Sequence, residues 1–117
     1  MIDTKMHGYL DYLLGFLLIG IPFLFAVPDG VPSRLLIVMG TATIVYSLMT
    51  DYELGLFKVI PVKVHLIIDF LSGLLLIAAP WLFGFADEII WPFVILGSFE
   101  VGASLMTKRE QFTNKQR

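Results

Sequence analysis

The chain contains no cysteine. That excludes disulfides, thiolate zinc sites, iron–sulfur ligation and cysteine nucleophiles, and it leaves the redox compartment undetermined. Charge is also scarce: Asp, Glu, Lys and Arg make up 15% of the 117 residues, against roughly 25% in soluble domains. A water-soluble fold this small has too much surface to cover with so few charges, which argues against a soluble monomer. Nor is there a surplus of cations. A net charge of -2 and a pI near 5.5 provide no basic face, which rules out nucleic acid as a partner.

What the chain does have is apolar length. Hydrophobic residues make up 57% of it and the mean hydropathy is +0.84. Four stretches stand out: about Gly8 to Val27, Ser33 to Thr50, Val64 to Ala86 and Ile89 to Thr107. Each has about the 20 residues that cross a hydrocarbon core of roughly 30 Å at a rise of 1.5 Å per residue. They are apolar all round, which disfavours a soluble bundle with one wet face per helix, and far too long for buried strands. An all-α bundle of four transmembrane helices is expected.

The links punctuate these runs. Pro28-Asp29-Gly30-Val31-Pro32 cannot continue a helix, and Ala86-Asp87-Glu88 is the matching turn between the third and fourth spans. The middle link, Asp51 to Lys63, mixes Leu54, Leu56, Phe57 and Ile60 with charges, a pattern suited to the membrane surface and broken by Pro61. The polar tail from Lys108 to Arg117 is expected to fray. Lys5, Lys58, Lys63, Lys108, Arg109, Lys115 and Arg117 flank one side and only Arg34 the other, so both termini and the middle link should be cytoplasmic. Trp81 and Trp91 then fall at the outer interface, and Tyr9 and Tyr52 at the inner one. The first span lacks the basic flank of a signal peptide and carries Asp11, so it is read as part of the mature fold.

The pattern of the first half returns in the second. Under a shift of 58 residues His7, Asp11, Gly15, Pro22, Leu24, Phe25 and Asp29 fall on His65, Asp69, Gly73, Pro80, Leu82, Phe83 and Asp87. After the short turn the shift becomes 57, where Gly40 matches Gly97 and Ser47-Leu48-Met49-Thr50 matches Ser104-Leu105-Met106-Thr107. The chain therefore reads as one integral membrane domain, 1–117. It is built from repeats at about 7–50 and 65–107 joined by a link at about 51–63. Each unit has an even number of spans, so both insert the same way, related by a pseudo-two-fold axis along the membrane normal.

The segment Ala79-Pro80-Trp81-Leu82-Phe83-Gly84-Phe85 closes an apolar helix and is followed by a short turn and a second helix. This unit resembles the SPW repeat of small bacterial membrane proteins, which consists of two transmembrane helices with a Ser-Pro-Trp motif in the first. The resemblance covers nearly the whole chain as two copies. Ala79 stands in place of the Ser, and the first copy reads Ile21-Pro22-Phe23. It implies architecture and a bacterial cytoplasmic membrane, and it carries no biochemical activity with it.

The polar residues inside the spans are the candidates for chemistry. His7 and Asp11 are four apart, as are His65 and Asp69, which puts each pair on one helix face within hydrogen-bond reach. These pairs are expected to act chiefly as structural brackets holding helices 1 and 3 near the two-fold axis; the sharper reading is a proton or ion site. Gly15 and Gly73 extend the same faces where a neighbouring helix can approach closely, and Gly40, Gly97, Ser98 and Gly102 mark packing positions on helices 2 and 4. Pro22 and Pro80 each free a carbonyl one turn back and should kink helices 1 and 3. Glu100 lies eight residues before Lys108, roughly 12 Å below the inner boundary, and its counterpart in the first unit is Thr43. It is either held by Thr, Ser or His on another helix or is a proton-relay carboxyl, and it is the strongest single candidate for a functional residue.

No nucleophile–base–orienter set and no phosphate loop is present, so no enzyme is expected. The two His lie beside Asp residues that suit no porphyrin face, and the His–Asp ligand set comes without distances; no metal or cofactor is expected. The leading reading is a structural or accessory membrane protein whose partners are the lipid bilayer and a homo-oligomer or larger membrane complex. The alternatives are a minimal proton or ion conductor using Glu100 and the His–Asp pairs, and a cofactor- or metal-binding membrane protein.

Overall fold

The computed structural model describes residues 2–107. Four helices follow in order: α1 (Thr4–Leu24), α2 (Val31–Leu48), α3 (Val62–Leu82) and α4 (Trp91–Met106). Local chemistry sets their ends. Asp3 caps α1, its carboxylate accepting from the Met6 amide at 2.8 Å. Pro32 and Pro92 sit in the first turns of α2 and α4, where a missing N–H costs nothing. Gly30 and Gly84 turn the chain with positive φ of 95° and 77°. Pro22 and Pro80 lie inside α1 and α3, within the last turn.

The helix boundaries differ from those read in the sequence. The start of α1 is Thr4 rather than Gly8, because Asp3 supplies the cap that apolar patterning does not register. That places His7 one turn inside the helix. The helix α4 is shorter than its apolar run, with 16 residues spanning about 24 Å. Three helices are long and apolar enough to cross a membrane, and α4 is a shorter apolar one. The tail Lys108–Arg117, with four of the cations behind the orientation argument, lies outside the described residues.

Each hairpin closes on a pair of glycines. A Cβ at Gly40 would stand 2.6 Å from the Gly15 carbonyl oxygen, and one at Gly97 would stand 2.7 Å from that of Gly73. Helices α1 and α2, and equally α3 and α4, can approach this closely only without side chains there. At the link end the two hairpins are tied to each other at two equivalent points. The Ile60 amide donates to the Met49 carbonyl at 2.7 Å, and the Ile2 amide donates to that of Met106 at 2.8 Å. Ser98 and Gly102 do not join these contacts. Ser98 is exposed, and nothing lies within 4 Å of a Cβ at Gly102, because both point away from α3.

The buried stripe of α1 is Thr4, His7, Gly8, Asp11, Leu14, Gly15, Leu18 and Ile21, a helical face. In α3 the equivalent stripe runs through His65, Asp69, Gly73, Leu76 and Ala79. Near the short turns the two stripes join a purely apolar core with Leu36, Phe85 and Phe93. Toward the link the interior becomes polar. The outside is the reverse: Phe16, Phe23, Val38, Ile67, Leu71 and Ile95 are all more than half exposed. A surface that presents Phe and Leu while burying His and Asp suits hydrocarbon and not water. The chain is a small helical membrane protein.

Candidate functional site: a His–Asp tetrad between the hairpins

The polar interior is organised by His7, Asp11, His65 and Asp69, all at most 4% exposed. Within each helix the expected contact is present, His7 Nε2 to Asp11 Oδ1 and His65 Nε2 to Asp69 Oδ2, both at 3.1 Å. The shorter contacts cross between helices. His7 Nε2 lies 2.7 Å from Asp69 Oδ2, and His65 Nε2 lies 2.8 Å from Asp11 Oδ2. Each imidazole therefore faces both carboxylates, and the pairs are a four-membered cluster rather than two separate brackets. The rings meet edge to face with centroids 5.4 Å apart.

A second layer fixes the protons. Thr50 Oγ1 donates to the Tyr46 carbonyl at 2.7 Å and lies 2.6 Å from His65 Nδ1. Thr107 Oγ1 donates to the Ala103 carbonyl at 2.6 Å and lies 2.7 Å from His7 Nδ1. A hydroxyl has a single proton, and both are committed to the backbone, so in each case Nδ1 must be the donor and the threonine the acceptor. In both rings Nε2 is thus the atom turned to the carboxylates, and its contacts there require a proton between nitrogen and oxygen. Two such protons balance the two carboxylate charges within a dry interior.

Two tyrosines complete the shell. Tyr46 donates to Asp69 Oδ1, and Tyr52 donates to Asp11 Oδ2 at 2.9 Å. Their rings flank His65 at centroid distances of 4.8 and 5.2 Å. They are not repeat equivalents: Tyr46 is on α2 and Tyr52 in the link, and the 57-residue shift puts Ala103 opposite Tyr46. Tyr52, expected at the membrane interface, is instead 1% exposed, because its hydroxyl reaches inward to Asp11. The link folds over this end, with Tyr12 donating to the Leu54 carbonyl at 2.9 Å and Leu54 packed on Tyr52, Val62 and Leu66. Leu56, Phe57 and Val59 remain exposed, as a surface segment requires.

Spacing in the sequence marks none of Thr50, Thr107, Tyr46 and Tyr52 as a site residue. The threonines did leave a signal, since they end the matching Ser-Leu-Met-Thr segments.

Glu100 stands apart from this network. It is 2% exposed, and neither carboxyl oxygen has a hydrogen-bond partner among the described residues. The expected partners are committed elsewhere: Ser104 donates to the Val101 carbonyl at 2.7 Å and Thr43 to that of Met39 at 2.8 Å. Such local bonds to the preceding turn are the usual fate of hydroxyls within helices. Glu100 lies within electrostatic range of all four tetrad residues and of Tyr46.

Comparison with curated proteins and with solved structures returned no match. The sequence profile of the SPW repeat domain matches residues 5–107, a segment that contains both hairpins and every member of the tetrad. The chain thus belongs to the SPW repeat family.

Proposed function

We propose that the protein is a structural or accessory component of the bacterial cytoplasmic membrane, a single domain of two repeats with both termini and the link on the cytoplasmic side. The observation behind this reading is the division of the interior. The tetrad is satisfied and enclosed at the link end, while the turn-end half is a packed apolar core of Leu18, Leu36, Leu76, Phe93 and their neighbours. A polar group there would be needed to relay a proton or ion across. Among the described residues every buried polar side chain lies in the link-end half, no further from the link than Thr43 and Glu100. The tetrad joins the hairpins instead of opening a path between them. Reconstitution into liposomes tests this reading. Proton and alkali-cation flux should equal that of protein-free vesicles across either polarity of imposed potential.

A second reading, conduction, draws on Glu100, whose buried oxygens have no partner among the described residues. Flux that the wild type supports and Glu100→Gln abolishes would favour it over the first.

A further inference from the structure

The distances that a sequence cannot supply turn the tetrad into a recognisable donor set. One ligand atom from each of His7, Asp11, His65 and Asp69 lies within 4.8 Å of the other three. Two are imidazole nitrogens and two are carboxylate oxygens, and all meet at the link end, where the two hairpins face each other. We propose that these four residues form a binding site for one divalent transition-metal cation of the zinc type. The site is shared equally by the two repeats.

Three features carry the assignment. The first is the orientation of the rings. Each Nδ1 is turned to a threonine hydroxyl that accepts its proton, at 2.6 and 2.7 Å, so each Nε2 points inward. Metal-bound histidines are oriented in the same way, with the distal N–H fixed by an acceptor. The second is size. A tetrahedral site with bonds of about 2.0–2.1 Å has edges of about 3.3 Å. The Nε2–Oδ separations here are 2.7–3.1 Å, with Asp11 offering a different oxygen to each histidine. The four ligand atoms together lie within 4.8 Å, so a bound ion would spread the imidazole–carboxylate edges slightly and draw the widest pair inward. The third is charge. A divalent cation carries the same charge as the two Nε2 protons it would replace, so the dry interior stays balanced. Tyr46 and Tyr52, bonded to the carboxylates, hold the oxygen ligands as the threonines hold the nitrogens. Mixed imidazole and carboxylate donors favour zinc and its first-row neighbours over magnesium, which prefers all-oxygen surroundings.

The test uses the full chain, purified in detergent without a histidine tag and stripped with a chelator. Titration with Zn2+ should show one equivalent bound per chain and a raised unfolding temperature, while Mg2+ at the same concentration does neither. His65→Gln should lose binding by more than 100-fold. Thr107→Val, which keeps all four ligands, should weaken it by about 10–100-fold, and Arg34→Gln, at the turn end of α2, should leave it unchanged. Should the His65 variant fail to fold, Co2+ bound to the wild type decides: intense visible d–d absorption of a four-coordinate ion supports the site, and the weak spectrum of aqueous Co2+ overturns it. The proposal also falls if the wild type takes up no Zn2+, or if folded His65→Gln binds it as well as the wild type does.

Discussion

His7 lies closer to Asp69, 62 residues away, than to Asp11 one turn along its own helix: 2.7 Å against 3.1 Å. The same inversion holds for His65, whose nearer carboxylate is that of Asp11. The polar bonds of this fold therefore act mainly between hairpins.

Removing one carboxylate should cost more than its own hydrogen bonds, because two imidazoles lose a partner at once. Asp11→Asn and Asp69→Asn are each expected to destabilise the protein by about 3 kcal/mol, the scale for breaking a buried ionic set. The double variant should cost clearly less than the sum, since the residues belong to one network. Unfolding titrations in mixed micelles measure both quantities, and simple additivity would mean two independent pairs.

Glu100 should behave in the opposite way. Its oxygens have no partner among the described residues, whereas Thr43 at the equivalent position donates to its own backbone. Glu100→Thr copies that arrangement and is expected to stabilise the fold by about 1–3 kcal/mol, the cost of leaving a buried polar group unsatisfied. A lower unfolding temperature for this variant would show that the carboxyl is engaged.

Two glycines on α4 should differ sharply. Gly97→Ala places a methyl 2.7 Å from the Gly73 carbonyl oxygen and 2.8 Å from Ile77, so the hairpin must open, at a cost of about 2 kcal/mol or more. Gly102→Ala meets nothing within 4 Å and gains helix propensity, for a change of about 0.5–1 kcal/mol in favour of folding. Equal effects in a thermal melt would refute the packing described for α3 and α4.

Alkaline pH should act partly through the link. Burial first, and the charge of Asp11 next, push the Tyr52 phenol above its ordinary value of 10.0. A group raised in the folded state contributes stability that is full below its unfolded pKa and is lost as pH rises toward the folded one. No Tyr52-dependent change is thus expected below pH 10. Above it the loss is about 1.4 kcal/mol per pH unit for one proton. Tyr52→Phe should lower stability at neutral pH by removing the bond to Asp11, yet flatten that alkaline slope. Melts at pH 8 to 11.5 separate the two effects.

Much of this architecture is legible in the sequence because lipid imposes a simple code. Long apolar runs, Pro-Gly turns and a 58-residue echo suffice to identify four helices in two hairpins. The echo also singled out His7, Asp11, His65 and Asp69. Spacing within a helix, however, shows what lies four residues away and not which helix stands opposite, so the crossed contacts were invisible. Tyr46 and Tyr52 escaped because neither belongs to the duplicated pattern, and a tyrosine in a surface link reads as an interface anchor. For Glu100 the hidden factor is competition: whether Ser104 or Thr43 bonds a neighbour or its own backbone depends on rotamers that composition does not encode.

The crossed bonds also have a topological consequence. Each hairpin presents one imidazole and one carboxylate and receives one of each, so the contact surface is self-complementary in the manner of an isologous dimer. The first hairpin of one molecule can thus meet the second hairpin of another through the same four residues, with residues 49–61 acting as the hinge. Shortening that hinge beyond Tyr52, so that Thr50 and Tyr52 keep their bonds to His65 and Asp11, would turn an intramolecular clasp into an exchanged dimer.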